Sequence, residues 1–278
     1  MTLRAPAKLN LCLYLGEVRG DGLHELVSLF CPITLADRLV VADAERDEVV
    51  CPEIDGPNLA AAALAALRAR GWDRAPARVE IDKRIPVAAG LGGGSADAAA
   101  VLRLAAGEVE GIEELAVALG ADVASQLEPR LSLVRGSGEL VEALPDAAEF
   151  ALILIPDERG LPTAEVYAEA DRLGLGRPAA ELSALAERVR EATGDGASPL
   201  EYAELLVNDL EHAALSLRPE IAEALTALEE VGAARALVTG SGPTAVGLFE
   251  NIAAADRAVG ALPPRYASAI VSAPQRWL

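Results

Sequence analysis

The chain has 278 residues, enough for one large domain or two ordinary ones. Hydrophobic residues make up 52% of it, so a sizeable core can form, but aromatic residues make up only 3% and leave that core to alanine, leucine and valine. The net charge of −19 argues against a nucleic-acid or membrane-surface partner, because such anionic partners need a basic face. A small phosphorylated ligand remains compatible with this charge, since it needs only a local cluster of donors.

Cysteines and histidines are few and scattered. Cys12, Cys31 and Cys51 form no CxxC pair, which predicts reduced thiols and a cytoplasmic location. His24 and His212 are far apart in the sequence, which excludes a metal site built from several histidines. No apolar run reaches the roughly 20 residues needed to span a bilayer, and we expect no signal peptide.

The N-terminal half is predicted to combine strands and helices around a glycine-rich loop. Apolar patterning predicts strands over 9–18, 25–35, 37–44 and 77–86, and two strands around a turn within 131–144. A turn is expected at 20–22. Helices are expected from Asn58 to a stop at Gly71, over 95–106, and over 112–120.

After Pro145 the pattern of elements starts again. Strands are expected at 150–156, on both sides of a glycine turn within 234–250, and at 267–273; helices are expected at 163–173, 179–193, 199–215, 219–231 and 252–262. Strands and helices that do not alternate regularly favour an α+β fold over a doubly wound sheet. The boundary is expected near 145–150, which predicts an N-terminal domain over 1–148 and a C-terminal domain over 149–278.

The segment PVAAGLGGGSADAAAVLRLA, residues 86–105, places four glycines within five positions. Glycine costs backbone entropy, and a loop that approaches a bulky anion closely would justify that cost. The segment matches neither the dinucleotide fingerprint GxGxxG nor the P-loop GxxxxGK[ST]. A strand, a proline, a glycine loop and a helix in this order favour phosphate binding at the helix N-terminus, where Ser95 would cap the helix or bind Mg²⁺. A plain surface turn is the alternative.

The glycine segment resembles the ATP loop of the GHMP kinases, the superfamily that includes galactokinase and the homoserine, mevalonate and phosphomevalonate kinases. RAPAKLNLCLYLGEVRGDGLHELVSLF at 4–30 and TGSGPTAVGLF at 239–249 resemble two further signatures of that family, in the same order. The resemblance covers nearly the whole chain. It implies a two-domain α+β fold, with an N-terminal domain like domain 2 of ribosomal protein S5 and a ferredoxin-like C-terminal domain.

Within this family, the segments at 4–30 and 81–99, LGADV at 119–123 and NDLE at 208–211 closely resemble a kinase of the non-mevalonate isoprenoid pathway. The resemblance implies an enzyme that uses ATP and Mg²⁺ to phosphorylate the 2-hydroxyl of a cytidyl diphosphate-linked polyol. It further implies a monomer or weak homodimer. Two alternatives remain: another GHMP small-molecule kinase, such as a homoserine or sugar kinase, and a non-catalytic nucleotide-binding protein of this fold.

The resemblance also implies roles for individual residues. Asp122 would accept the proton of the acceptor hydroxyl or orient it, and Lys8 would stabilise charge developing on the attacking oxygen. Ser95 would bind the metal. The positions that match the family's substrate side are Asn10, His24, Thr163 and Tyr167, the last as a base-stacking ring. The positions that match its nucleotide site are Asn58, Lys83, Ala88, Ala89, Gly90, Leu91, Gly92, Gly93, Gly94, Ser95, Ala96, Asp97 and Ala98.

Several of these residues also have ordinary interpretations. Lys8 and Lys83 are the only lysines, and either could be a solvated residue at a strand end. Asp122 could be a solvated or capping aspartate. The sequence also departs from the family pattern, with Leu23 where a tyrosine is usual, Ala96 where a second serine is usual, and VASQ after LGAD in place of VPFF. These departures bear on cytidyl recognition more than on ATP binding.

Overall fold

The computed structural model describes residues 1–54, 56–157 and 159–276. A long antiparallel hairpin of β1 (Thr2–Val18) and β2 (His24–Asp43) organises its N-terminal half. Residues 5–16 of β1 are all buried, which explains their nearly continuous apolar character. The two strands predicted at 25–35 and 37–44 form one strand, because Ala36 and Asp37 stay in register with Pro6 and Ala5 across the hairpin.

The remaining strands of the first sheet extend it on both sides of β2. The sheet has the order β3-β4-β2-β5-β6, with β1 also paired to β2. Its further elements, with the helices that follow them in the chain, are β3 (Glu48–Val50), α1 (Leu59–Ala69), β4 (Ala77–Asp82), α2 (Gly93–Leu102), α3 (Ile112–Leu119), α4 (Ala121–Ser125), β5 (Ser132–Gly136) and β6 (Leu140–Ala143).

A second, antiparallel sheet with the order β10-β7-β9-β8 begins after β6. The C-terminal elements are β7 (Ala151–Ile155), α5 (Thr163–Leu173), α6 (Ala179–Thr193), α7 (Glu211–Leu217), α8 (Ile221–Glu230), β8 (Arg235–Val238), β9 (Ala245–Phe249), α9 (Ile252–Val259) and β10 (Ile270–Ser272). Leu9 and Leu29 of the first sheet share one buried cluster with Phe150 and Leu152. The two sheets therefore pack on a continuous apolar core. The domain boundary near residue 148 stays a prediction.

Alanine lets α2 pack closely against its neighbours. Residues 96–102 are buried on every side of the helix, and four of them are alanines. They share a cluster with Ala60, Ala63 and Leu64 of α1. Small side chains permit this close approach, which fixes the helix rigidly behind the glycine loop.

Tertiary contacts override the local pattern at two places. The helix predicted at 199–215 is wrong: a 3₁₀ turn over Pro199–Leu205 is followed by an irregular segment before α7. There, Asp209 bonds to β1 through its N–H to the Leu13 carbonyl and through its carboxylate to the Leu15 N–H. The strand predicted at 77–86 ends at Asp82, because the Asp37 carboxylate accepts from the N–H groups of residues 84 and 85.

Two short elements, β3 and α4, were not predicted from the sequence. The three cysteines, all within the described ranges, are free thiols, and Cys12 and Cys31 are buried. In the same part of the chain, no helix combines the length and apolar character that crossing a membrane requires.

Candidate active site

The glycine loop connects β4 to α2 and ends in a left-handed turn. Gly92 has a φ of +68° and is the N-cap of α2, which begins at Gly93, two residues before the predicted start. The expectation that Ser95 caps this helix is therefore wrong. In an α-helix the first N–H groups have no intrahelical partner, so those of residues 93–95 are free to bind an anion.

Contacts with both halves of the molecule hold this loop in place. The Leu91 carbonyl accepts from the Lys8 N–H at 3.0 Å, and the Ala89 carbonyl accepts from the Thr244 hydroxyl at 2.7 Å. A Cβ at Gly90 would lie 2.8 Å from the Thr239 carbonyl oxygen, and φ there is +77°. Only glycine fits this position, where the loop crosses the C-terminal glycine turn.

A cavity of about 470 Å³ opens along the loop. Its lining includes most of the predicted site residues, which are Lys8, Asn10, Lys83, Ala88, Ala89, Gly90, Leu91, Gly92, Gly93, Gly94, Ser95, Asp122, Thr163 and Tyr167. The fold thus brings together residues from β1, the glycine loop, α4 and α5.

Lys8 and Asp122 form an ion pair within this cavity. Lys8 Nζ lies 3.2 Å from Asp122 Oδ2, 2.7 Å from Asn10 Oδ1, and 4.3 Å from the centre of the Phe30 ring. The Lys8 side chain is 8% exposed, whereas that of Asp122 is 37% exposed. The carboxylate is therefore the more accessible partner to a ligand in the cavity, and the ammonium is held beside it.

The lining of the cavity also includes the hydroxyl-bearing Thr163 and Ser241 and the Tyr167 ring. The Thr163 and Ser241 hydroxyl oxygens lie 3.0 Å apart. Burial, with a contribution from the nearby Asp122 charge, raises the pKa of Tyr167 to about 12, so its phenol stays protonated. The rings of Tyr167 and His24 have centroids 5.3 Å apart. The Tyr167 ring offers a flat surface, and the two hydroxyls offer polar groups, to a planar ligand in the cavity.

His24 is fixed between two oxygen atoms. Its Nδ1 lies 3.0 Å from the Gly16 carbonyl oxygen, and its Nε2 lies 3.2 Å from Asp171 Oδ1. The ring lies next to Tyr167 but is not among the residues that line the cavity. Its predicted contact with a base stays a prediction.

Lys83 lies beneath the glycine loop in a buried cluster with two aspartates. Its ammonium is 2.9 Å from Asp97 Oδ2 and also bonds to Asp37. A Cβ at Gly93 would be 3.2 Å from Lys83 Nζ, so the ammonium adjoins the loop backbone. Burial raises the pKa of Asp97 to about 7 against the opposing effect of Lys83, and its Oδ1 is buried without a hydrogen-bond partner.

Other predicted nucleotide-site residues lie behind the cavity wall. Asn58 is the N-cap of α1, and its side chain accepts from the N–H groups of residues 60 and 61. Leu59, the next residue, reaches the cavity instead. Ala96, Asp97 and Ala98 are buried in α2. Direct roles for these four residues in nucleotide binding stay predictions.

Sequence reasoning did not assign several residues that line the cavity, notably Phe30, Ser137, Gly138, Gly240 and Ser241. The segment TGSGP carried a signal for the last two, since it was recognised as a glycine turn without a residue being given a role. Gly138 has a φ of +120° and packs on Ala121 at the start of α4. No comparable motif pointed to Phe30 or Ser137.

Comparison with known proteins identifies the family. Residues 58–129 match the model of the GHMP kinases N terminal domain, and residues 182–268 match that of the GHMP kinases C terminal. A 4-diphosphocytidyl-2-C-methyl-D-erythritol kinase from Thermobifida fusca is 39% identical over 94% of this chain and 92% of its own length. A protein of the same name from Mycobacterium bovis is 38% identical over 92% of this chain and 84% of its own.

Comparison with solved structures supports the same family. A crystal structure of 4-(cytidine 5'-diphospho)-2C-methyl-D-erythritol kinase is 34% identical, has a TM-score of 0.82, and is matched over 99% of this chain and 100% of that one. A homoserine kinase from Cytophaga hutchinsonii is 17% identical with a TM-score of 0.72, over 99% of this chain and 94% of that one, and shows only the shared fold. The predicted two-domain α+β fold and the resemblance drawn from the motifs are confirmed. The chain belongs to the 4-diphosphocytidyl-2-C-methyl-D-erythritol kinase family of the GHMP kinases.

Proposed function

We propose that this chain transfers the γ-phosphoryl group of ATP to the 2-hydroxyl of 4-diphosphocytidyl-2-C-methyl-D-erythritol, with Lys8 and Asp122 at the acceptor hydroxyl. As a GHMP kinase, it uses ATP as its phosphoryl donor. One observation chiefly supports the proposed mechanism: Lys8 and Asp122 form an ion pair, and both line the glycine-loop cavity.

Phosphoryl transfer needs positioning and charge neutralisation more than covalent chemistry from the protein. The free N–H groups at the start of α2 would hold the phosphates of ATP. Asp122 orients the acceptor hydroxyl and takes its proton as the new O–P bond forms. Lys8 stabilises the negative charge that develops on the attacking oxygen.

Mg²⁺ would enter this site with the nucleotide. Among the described residues, no group of three or more His, Cys, Asp and Glu side chains could hold a metal alone. The cavity instead offers the half-buried Ser95 hydroxyl beside the free amides. This suits Mg²⁺, which keeps several waters and is commonly held through substrate phosphates. The ion would neutralise phosphate charge, and Ser95 is the residue that would contact it.

Tyr167 and His24 support the cytidyl part of the proposal. Tyr167 lines the cavity and lies against the His24 ring, and Thr163 and Ser241, which carry hydroxyls, line the same cavity. Leu23, where the family usually has tyrosine, is 52% exposed. Tyr167 is therefore the residue that would provide the aromatic surface for the base.

A coupled assay of ADP release tests the proposed function. We expect turnover with 4-diphosphocytidyl-2-C-methyl-D-erythritol to exceed turnover with homoserine or mevalonate at equal ATP, and NMR of the product to show phosphate on the 2-hydroxyl. Faster turnover with another alcohol would assign a different substrate. Nucleotide binding without turnover of any alcohol would favour a non-catalytic protein.

A further inference from the structure

A series of buried, hydrogen-bonded polar groups connects β2 to the proposed catalytic pair. The Ser28 hydroxyl lies 2.5 Å from the Cys12 carbonyl oxygen and 2.8 Å from Asn10 Nδ2. Asn10 Oδ1 lies 2.7 Å from Lys8 Nζ, which pairs with Asp122. All three residues are buried: the exposed fraction of the whole residue is 6% for Lys8, 3% for Asn10 and 0% for Ser28. Bulk water therefore does not replace these hydrogen bonds.

The Cys12 carbonyl group determines which atom donates in each of these hydrogen bonds. A main-chain carbonyl only accepts, so the Ser28 hydroxyl donates its one proton to Cys12. The Ser28 oxygen is then an acceptor, and it selects the nitrogen of the Asn10 amide over the oxygen. The Asn10 oxygen consequently faces Lys8, as it must, because an ammonium has donors only.

The backbone of Asn10 is also fixed. Its N–H donates to the Thr239 hydroxyl at 2.8 Å, which ties this part of β1 to the C-terminal glycine turn. With its backbone held by Thr239 and its amide oriented by Ser28, Asn10 presents one oxygen to Lys8 in one orientation. This places the ammonium at Asp122.

We propose that Ser28 is a positioning residue for phosphoryl transfer, which acts through the Asn10 amide to hold the Lys8 ammonium beside Asp122. This inference rests on the proposed function, because that function gives Lys8 and Asp122 their roles. Ser28 is fully buried, so it acts without touching the substrate. Without its hydroxyl, the Asn10 nitrogen loses its acceptor, and the amide can turn that nitrogen toward the ammonium.

The matched variants Ser28→Thr and Ser28→Val test this role, because the two side chains have nearly the same size and only threonine has a hydroxyl. We expect kcat of Ser28→Val to be about 10- to 100-fold below that of Ser28→Thr, since small displacements of catalytic groups have effects of this order. KM for ATP should agree within about twofold between them. Equal kcat values for the two folded variants would overturn the proposal.

A double-mutant cycle separates an effect through Asn10 from a general structural effect. In an Asn10→Leu background, Ser28→Ala should change kcat by less than about twofold, whereas it should lower kcat about 10-fold or more in the native chain. An equal fold-change in both backgrounds would contradict the inference. Ser132→Ala is the control: this serine is 1% exposed in β5, its hydroxyl donates to the Arg130 carbonyl, and we expect kcat to stay unchanged.

The Lys8→Met variant shows whether a negative result contradicts the role of Ser28 or the proposed function on which that role rests. If Lys8→Met keeps the native kcat, the proposed role of the Lys8–Asp122 pair fails. If Lys8→Met loses activity while the Ser28 variants agree with each other, only the positioning role of Ser28 fails.

Discussion

Lys8 Nζ lies 3.2 Å from Asp122 Oδ2, and a single hydrogen bond of 2.7 Å joins the same ammonium to Asn10. Lys8 comes from the bulged part of β1, whereas Asp122 lies in the first turn of α4. The ammonium is enclosed by these partners and the Phe30 ring. The more exposed carboxylate is left to meet a hydroxyl from the cavity.

Asp122→Asn should lower kcat by about 10³-fold, because the amide cannot accept the proton of the acceptor hydroxyl. KM for ATP should stay within about twofold, since the glycine loop is untouched. Steady-state ADP release and titration with nucleotide measure these two quantities. Asp256→Asn, an exposed change in α9, is the control and should behave like the native protein. Native turnover in Asp122→Asn would remove this residue from the mechanism.

Gly90→Ala should destabilise the protein by about 2 kcal/mol, because the new Cβ meets backbone atoms of the C-terminal turn and φ is positive. Gly94→Ala, in the first turn of α2 directly after the loop, is the matched control. Its Cβ would lie 3.8 Å from the nearest atom, Leu59 Cδ1, and alanine is favoured in a helix. Urea unfolding of both variants tests this contrast, and equal stabilities would show that the loop does not depend on its contact with residues 239–242.

Tyr167→Leu should raise KM for the cytidyl substrate by about 10-fold, because stacking of one base on an aromatic ring contributes on this scale. KM for ATP should not change. Tyr167→Phe keeps the ring and removes only the phenol, so its KM should stay near the native value. If leucine and phenylalanine gave the same KM, the base would not stack on this ring.

The raised pKa of Asp97 should make folding stability depend on pH. Its pKa rises from 3.8 to about 7 on burial, so between these values the folded protein binds more protons than the unfolded chain. Stability should therefore fall as the pH rises through this window. We expect the native protein to lose on the order of 2 kcal/mol more than Asp97→Asn between pH 4 and pH 8 in urea titrations. Parallel pH profiles for the two proteins would contradict the raised pKa.

The sequence was sufficient for elements whose local pattern agrees with their packing. The glycine-rich segment was predicted as a loop between a strand and a helix, and it lies between β4 and α2. The helices at 163–173 and 179–193 were predicted correctly, and the apolar run at 9–18 was predicted as a strand, although β1 begins earlier, at Thr2. At these places, local propensity and tertiary packing favour the same structure.

Tertiary structure alone decided the contacts between distant segments. The helix predicted at 199–215 breaks because Asp209 bonds to β1, and Ser28 meets Asn10 only because β1 pairs with β2. Ser241, in the turn between β8 and β9, likewise meets Thr163 at the start of α5, although 78 positions separate them in the sequence. Residue types and local periodicity determined the elements and the chemistry of the loop. The orientation of Lys8 toward Asp122 depended on hydrogen bonds between strands, which local sequence does not encode.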